Sequence, residues 1–303
     1  MPEYPDVVVY IDRLRAYVQG KRLEQLRISH IFLLRTAVPP ISEIDGRRVL
    51  GFERMGKRII FAFEDDLFLV LHLMVSGRLR WRKRGVSIKS KRCLAAMDFE
   101  SGSLLLTEAS SKKRASLHLV RGREALEDFD RGGLEVMNAT VDEFRAAITE
   151  ENHTLKRALR DPTILSGIGN AYSDEILHRA RLSPFRLTDK LSDEQIARLY
   201  EATQAILTEW TERLRVEVGD GFPEKVTAFH GAMAVHGRYE QPCPVCGTPV
   251  QRIRYATNET NYCPICQTEG RLLADRGLSR LLKADWPRTV EELENRKRRG
   301  THR

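Results

Sequence analysis

The first residues of the chain can supply a nucleophile. Removal of Met1 would expose the secondary amine of Pro2. An α-amino group has an ordinary pKa near 8, roughly two pH units below that of lysine, so part of it is unprotonated at neutral pH and can attack a carbonyl carbon. Glu3 could move protons beside it. The same residues also suit a helix start, where proline fits the first turn and a carboxylate favours the helix dipole, so both interpretations stay open.

Four cysteines have the spacing of a metal site. They form two Cys-x-x-Cys turns separated by residues 247–262, and the four are Cys243, Cys246, Cys263 and Cys266. Each turn can present two thiolates to one tetrahedral ion, which favours one structural Zn²⁺. Disulfides are the alternative, disfavoured in a chain with no secretory signal. Cys93 is unpaired in this scheme, and we expect it to be a small buried hydrophobe.

The hydrophobic pattern indicates which elements hold these groups. A helical period over 5–19 predicts a leading helix that ends near Gly20. Short strand-like runs at 49–52, 58–63, 67–73, 94–99 and 103–106 then predict an antiparallel sandwich or barrel. Predicted helices follow at 141–149, 154–160, 171–180 and 192–214, the last opening with a Ser192-x-x-Gln195 capping box. The fold class is therefore α+β, with an N-terminal antiparallel β-sandwich and a C-terminal helical domain.

Length and composition fit a two-domain globular protein of 303 residues. We expect a sandwich domain at 1–125, a helical domain at 126–239, a finger at 240–270 and a tail at 271–303, whose basic end we expect to be disordered. The net charge of +8 favours a polyanionic partner. No apolar run is long enough for a membrane span, so no membrane partner is expected, and the absence of a signal favours the cytoplasm, or the nucleoid if the source is bacterial.

Several segments, taken together, resemble formamidopyrimidine-DNA glycosylases and endonuclease VIII. They are Pro-Glu-Tyr-Pro-Asp-Val at 2–7, Gly-Lys at 56–57, His-Leu-Met-Val-Ser-Gly at 72–77, Gly-Ile-Gly-Asn-Ala-Tyr-Ser-Asp-Glu-Ile-Leu at 167–177 and the four-cysteine finger. They occur in the order seen in that family and cover roughly residues 2–270. The stretch at 167–177 is the most specific of them, whereas Gly-Lys alone would indicate nothing.

This resemblance implies a base-excision repair enzyme with a β-sandwich, a helix-two-turn-helix domain, a zinc finger and double-stranded DNA between the domains. We expect the protein to bind DNA as a monomer. Such enzymes remove a damaged, often oxidised, base and then cleave the strand at the abasic site by β,δ-elimination. The implied catalytic residues are Pro2, which forms a Schiff base with C1′, Glu3, which moves protons, and Lys57. Those implied to bind the DNA backbone are His72 and Asn170.

The sequence departs from the family pattern at positions that contact DNA. Val75 stands where the family commonly has a methionine that fills the gap left by the flipped base, and the loop at 107–116 lacks the Asp-Pro-Arg-Arg-Phe-Gly segment that carries two other wedge residues. Asn258 occupies the position of a phosphate-clamping arginine in the finger. Arg252 or Arg254 can substitute for it, and Arg254 is our candidate. The basic stretch at 78–92 is expected to be a solvated hairpin.

Three other interpretations remain open at this point. A DNA-damage or DNA-structure binding protein could keep the fold without catalysis, as the altered wedge loop and Asn258 suggest. A zinc-ribbon module of a transcription or RNA protein would explain the cysteines but not the N-terminus or residues 167–177. A glycosylase for bulky or crosslinked bases would use the space that a missing wedge leaves. Retention of Met1 would favour the first two.

Overall fold

The computed structural model describes residues 1–224, 226, 229–254, 258–274 and 287–300. The chain forms two compact units. The first unit comprises Met1–Gly133 with Leu207–Thr227, and the second comprises Leu134–Ile206 with Ala228–Arg303. One long helix, Asp193–Val218, therefore contributes to both units. The domain boundaries predicted from the sequence do not divide this helix.

The first unit contains a leading helix, Tyr4–Val18 (α1), and eight strands. The strands are Gln25–Ile28 (β1), Val49–Met55 (β2), Arg58–Phe63 (β3), Leu67–His72 (β4), Gly77–Arg82 (β5), Cys93–Phe99 (β6), Gly102–Glu108 (β7) and Ser116–Arg121 (β8). They form two antiparallel four-stranded sheets, ordered β1-β6-β7-β5 and β2-β3-β4-β8. The predicted antiparallel sandwich with a leading helix is confirmed.

Side chains from α1 and from both sheets share one core. Tyr10 and Leu14 of α1, Phe61 of β3 and Leu104 of β7 are all buried in it. Strands β3 and β4 lie in the middle of their sheet and consist almost wholly of apolar residues, as expected for strands covered on both faces. Cys93 is buried, as predicted.

Strand β5 corrects the expectation of a solvated hairpin over residues 78–82, whereas residues 83–92 are mostly exposed, as expected. Leu79 is fully buried, and Trp81 packs against the core. Arginines alternate with these side chains along the strand, so the basic residues occupy one face of a true β-strand. The density of arginine in the sequence concealed this period of two.

The second unit is helical apart from the finger hairpin. Its elements are Val141–Thr149 (α2), Leu155–Arg160 (α3), Asn170–Arg179 (α4), the part of Asp193–Val218 (α5) before Leu207, Gln251–Arg254 (β9), Glu259–Tyr262 (β10), Pro264–Thr268 (α6) and Val290–Gly300 (α7). The predicted capping box of α5 is present, since Gln195 N–H donates to the Ser192 hydroxyl and Ser192 N–H donates to Gln195.

Helix α7 corrects the expectation of a disordered basic tail. It covers residues 290–300, and acidic residues occupy its first turn, where they favour the helix dipole. Within the described ranges, no helix is both long and apolar enough to cross a membrane.

Candidate functional site

The start of α1 fixes the position of Glu3. Pro2 and Glu3 are buried, and Glu3 is the N-cap of the helix. Its backbone N–H donates to Oδ2 of Asp6 at 2.8 Å, while its side chain accepts from the Asp6 backbone N–H, which completes a reciprocal capping box. The helix start therefore holds a carboxylate beside Pro2. The two roles considered for these residues, helix capping and proton transfer, are compatible.

The side chain of Asp6 has an unusually high pKa. Its carboxyl group is buried, and this burial, with the nearby Glu3 carboxylate, raises the pKa of Asp6 to about 7 against the hydrogen bond from Glu3 N–H. A carboxyl group with such a pKa can both give and take a proton near neutrality. Sequence reasoning did not assign Asp6 a role, because only the fold shows that the side chain points inward.

Basic residues surround the chain start. Burial lowers the pKa of the Met1 α-amino group below its ordinary value of 8.0, Glu3 opposes this, and Arg78 and Lys57 lower it further. Lys57 lies in the turn between β2 and β3, where Gly56 adopts a φ of 58° that favours glycine. The structure thus brings Pro2, Glu3 and Lys57 into one electrostatic environment. Arg78, which sequence reasoning passed over, belongs to the same group.

His72 ends β4 and is neutral at pH 7. Burial lowers its pKa to about 4, with further lowering by Arg58, Lys57 and His118. The following turn exposes Val75, whose side chain is 56% accessible. Gly77 is required there, because a Cβ at this position would lie 2.2 Å from the Leu73 carbonyl oxygen. At pH 7 the His72 ring can therefore form hydrogen bonds but carries no charge.

A cavity of about 350 Å³ opens beside Asp6 within the first unit. It is lined by Asp6, Val9, Leu214, Glu217, Val218, Phe222, Pro223, Glu224 and Val226. Phe222 contacts the rings of Tyr10 and Tyr17 at centroid distances of 6.0 and 5.5 Å. Glu224 forms an ion pair with Arg82, and Arg78 Nε donates to the Val226 carbonyl at 2.6 Å. The segment after α5 is thus held against the sandwich and forms one wall of the cavity.

The loop at 107–116 is organised by Glu108. This buried carboxylate accepts from the backbone N–H groups of Arg114 and Ala115 at 2.9 and 3.1 Å and from the Ser76 hydroxyl at 3.2 Å. Lys112 and Arg114 remain exposed. The loop therefore presents basic side chains, with no aromatic residue to insert into a base step.

Asn170 begins α4 in the second unit. Its Nδ2 donates to the Glu259 carbonyl at 2.9 Å, and its own carbonyl accepts from Lys156 Nζ at 2.7 Å. Its Oδ1 is buried and has no hydrogen-bond partner among the described residues. The contact with Glu259 ties the start of α4 to the finger hairpin.

Two buried carboxylates of α4 hold the surrounding segments. Asp174 accepts from Lys156 at 2.6 Å and pairs with His236 at 2.7 Å. Glu175 accepts three backbone N–H groups, from Ala234, Val235 and His236, at 2.7, 2.9 and 2.9 Å. The sequence analysis gave Asp174 and Glu175 no role beyond their place in the segment 167–177. Their partners lie about 18 or more residues away along the chain, so no local pattern shows them.

The four finger cysteines converge as predicted. The sulfur atoms of Cys243, Cys246, Cys263 and Cys266 all lie within 4.8 Å of one another. The Cys246–Cys263 and Cys243–Cys266 sulfur distances are 3.3 and 3.9 Å. A tetrahedral ion with Zn–S bonds of about 2.3 Å needs sulfurs roughly 3.8 Å apart, so these ligands fit one structural Zn²⁺ without an open position.

The arginines predicted to replace a finger clamp differ in their surroundings. The Arg252 guanidinium lies 4.0 Å from the centroid of the Tyr239 ring and forms a 3.8 Å ion pair with Glu259. Arg254 is exposed at the end of β9, and Asn258 is exposed before β10. Arg252 is therefore occupied by its contacts with Tyr239 and Glu259.

Three family models match the chain. The formamidopyrimidine-DNA glycosylase N-terminal domain matches residues 1–120, the formamidopyrimidine-DNA glycosylase H2TH domain matches 134–218, and the zinc finger found in FPG and IleRS matches 240–268. The predicted order of sandwich, helix-two-turn-helix domain and zinc finger is thereby confirmed.

Curated relatives share this organisation. The formamidopyrimidine-DNA glycosylase of Thermus thermophilus is 35% identical over 288 residues, covering 89% of this chain and all of the relative. That of Heliobacterium modesticaldum is 30% identical over 280 residues, with 88% and 100% coverage. An uncharacterised formamidopyrimidine-DNA glycosylase-like protein of Mycobacterium tuberculosis is 39% identical over 151 residues, with 50% and 94% coverage.

Solved structures agree with these relatives. The crystal structure of MutM (Fpg) from Thermus thermophilus superposes with a TM-score of 0.74 at 33% identity, covering 88% of this chain and 98% of that one. Lactococcus lactis Fpg in complex with DNA containing an oxidised pyrimidine superposes with a TM-score of 0.77 at 26% identity, with 88% and 100% coverage.

Proposed function

The chain belongs to the formamidopyrimidine-DNA glycosylase family, and on this premise we propose that it excises oxidised bases from double-stranded DNA and cleaves the resulting abasic site through Pro2. It is a base-excision repair DNA glycosylase of a family with abasic-site lyase activity, and its four-cysteine finger holds a structural zinc. The observation that carries the proposal is the burial of Pro2 and Glu3 at the chain start, with Lys57 and Arg78 close enough to lower the pKa of the Met1 α-amino group.

The chemistry follows from the amine. Once Met1 is removed, the unprotonated Pro2 nitrogen attacks C1′ of the damaged nucleotide and the base leaves with its bonding electron pair and a proton. Protonation of the ring oxygen O4′ then breaks the C1′–O4′ bond and leaves an iminium between Pro2 and C1′. The iminium makes the C2′ proton acidic, so a base can remove it and the 3′ phosphate is expelled with its bonding electron pair. Loss of the C4′ proton in a second elimination expels the 5′ phosphate, and water then releases the sugar fragment from Pro2. No redox cofactor is needed.

Glu3 and its neighbours supply the proton transfers. Glu3 is buried beside Pro2 and can protonate the sugar ring oxygen and later take a proton from C2′. The positive charge of Lys57 lowers the pKa of the Met1 α-amino group, and we propose that the same side chain binds the phosphate next to the damaged nucleotide. We propose that the cavity beside Asp6, within the first unit, accepts the damaged base outside the duplex stack.

We propose that each unit contributes residues that contact the DNA backbone. His72 offers a neutral hydrogen-bond donor, Asn170 an amide at a helix start, and Arg254 a charge at the end of β9. We propose that the protein works as a monomer on DNA in the cytoplasm, or in the nucleoid of a bacterial cell.

The test is incubation of the purified protein with duplexes that carry one oxidised purine, one oxidised pyrimidine or one abasic site. The proposal predicts release of a free base from at least one oxidised duplex and strand cleavage that leaves phosphate at both ends of the gap. Tight binding to the same duplexes without base release or cleavage would contradict it and would favour a non-catalytic DNA-damage binding protein.

A further inference from the structure

His178 belongs to the face of α4 that contacts the finger. Asp174 and His178 are four residues apart on this helix, so their side chains lie one turn apart on the same face. Asp174 accepts from Nδ2 of Asn261 in β10 at 3.3 Å, and Nε2 of His178 lies 3.2 Å from the Cys243 sulfur. Both His178 and Cys243 are buried. The helix therefore reaches the zinc site through a side chain that is not one of the four ligands.

The chemistry of the two atoms sets the direction of this hydrogen bond. A cysteine that binds zinc is a thiolate, and a thiolate has no hydrogen to donate. The hydrogen between the two atoms must therefore be on Nε2 of the imidazole ring. In the zinc-loaded protein, His178 thus donates Nε2–H to the Cys243 sulfur.

The zinc site carries a negative charge that calls for such a donor. Four thiolates outweigh the charge of one Zn²⁺, and burial of charge is costly unless hydrogen bonds satisfy the charged atoms. Water can reach Cys246, which is exposed, whereas the Cys263 sulfur accepts from the backbone N–H of Cys266 at 3.4 Å. The buried Cys243 sulfur accepts from His178 instead.

We propose that His178 is a positioning residue of the zinc site, whose Nε2–H holds the Cys243 thiolate in place, stabilises its negative charge and so tightens metal binding. Residues that hydrogen-bond metal ligands from outside typically contribute about tenfold or more to metal affinity. The same bond fastens the end of α4 to the metal, while Asn170 fastens its start to the finger hairpin. The inference concerns the metal and does not depend on the proposed reaction on DNA.

The experiment compares the full zinc-loaded wild type with His178→Phe and His178→Gln. Phenylalanine keeps a flat ring without a donor, and glutamine keeps an N–H donor without the ring. Competition with a zinc chelator of known affinity should give a Kd for Zn²⁺ about tenfold higher in His178→Phe. His178→Gln should recover most of the lost affinity, because its amide can donate to the same sulfur.

Cobalt substitution gives a readout that a purely structural role would not change. When Co²⁺ replaces Zn²⁺ in a tetrahedral thiolate site, the sulfur-to-metal charge-transfer band reports the energy of the sulfur lone pairs. A donated hydrogen bond stabilises those lone pairs, so the band should move to lower energy in His178→Phe. In His178→Gln it should stay near the wild-type position. Thermal midpoints, measured in parallel, show whether each variant is folded.

Arg181→Gln is the matched control. Arg181 is exposed and lines the same small cavity, of about 120 Å³, as His178 and Cys266, so it offers charge beside the site. Because water screens an exposed charge, removing it should leave the zinc affinity and the cobalt band unchanged. An effect as large as that of His178→Phe would assign the stabilisation to charge alone and would overturn the proposal.

The remaining outcomes bear on the donor itself. An unchanged band and an unchanged zinc affinity in folded His178→Phe would overturn the proposal, as would a loss that His178→Gln does not recover, since the shape of the ring would then matter. A measurement on the wild type needs no variant. The ¹⁵N shifts of the His178 ring should place the hydrogen on Nε2 in the zinc-loaded chain, and an Nδ1–H tautomer would contradict the bond to Cys243.

Discussion

The backbone N–H of Glu3 donates to the Asp6 carboxyl group at 2.8 Å, and the Asp6 backbone N–H donates to Glu3 in return. This exchange couples the start of α1 to the proposed reaction, because the residue that caps the helix is also the residue that lies beside the nucleophile. A change that weakens the cap should therefore move the proton-transfer group as well.

Asp6→Asn should alter how stability depends on pH. Burial raises the pKa of Asp6 from 3.8 to about 7, so the folded state holds this proton more tightly than the unfolded state. The associated stability is fully present below about pH 4 and is lost as pH rises through 7. Asparagine keeps an acceptor for Glu3 N–H but cannot ionise, so the free energy of unfolding of the variant, relative to that of the wild type, should rise by about 3 kcal/mol between pH 4.5 and pH 8.

Urea unfolding of the wild type and of Asp6→Asn at pH 4.5, 6 and 8 measures this effect. The free energy of unfolding of the variant, relative to that of the wild type, should increase from each pH to the next higher one. A difference that is constant over this range would contradict the raised pKa of Asp6.

Cys263→Ser should release zinc and weaken DNA binding. Loss of one of four thiolates opens the tetrahedral site, and the finger hairpin that carries Arg254 and Asn258 then loses its fixed geometry. Atomic absorption should find well under one zinc per chain. Cys93→Ser, outside the finger, is the matched control and should keep its metal. Full metal content in Cys263→Ser would refute the four-thiolate site.

Lys156→Met should destabilise the second unit strongly. It leaves the buried Asp174 carboxylate without its closest cation and removes a donor to the Asn170 carbonyl. Because an uncompensated buried charge is costly, we expect a loss of about 3 kcal/mol in the free energy of unfolding. Lys190→Met, at an exposed position, serves as control and should change it little. A loss below 1 kcal/mol in Lys156→Met would show that the ion pair is dispensable.

His72 should bind DNA as a neutral donor. Since its pKa is lowered to about 4, it carries no charge at pH 7.5, and His72→Gln, which keeps an N–H donor, should retain affinity within about threefold. His72→Ala loses one neutral hydrogen bond, so its Kd should rise about 2- to 12-fold. Anisotropy titrations at pH 7.5 measure both. An equal loss in the two variants would mean that the role of His72 depends on charge or shape.

The sequence was sufficient for the parts of this architecture that have strong local patterns. The period of α1, the apolar strands β3 and β4, the capping box at Ser192 and the spacing of the cysteines each reflect a local physical requirement. Strand β5 escaped prediction because arginines fill its outer face and mask the alternation.

Long-range contacts account for what sequence reasoning missed in the site. The enclosure of Asp6, the approach of Arg78 to the chain start and the pairing of Asp174 with His236 all join residues distant in sequence or depend on how the sheets close over α1. No local pattern encodes these relations.

The most direct test of the central claim is borohydride trapping on a duplex with one abasic site. The wild type should give a covalent band whose peptide maps to Pro2, with intact mass confirming removal of Met1. Pro2→Gly should give none while keeping its fold and its DNA affinity. Undiminished trapping by Pro2→Gly, or a wild-type adduct on a lysine, would contradict the assignment of Pro2 as the nucleophile.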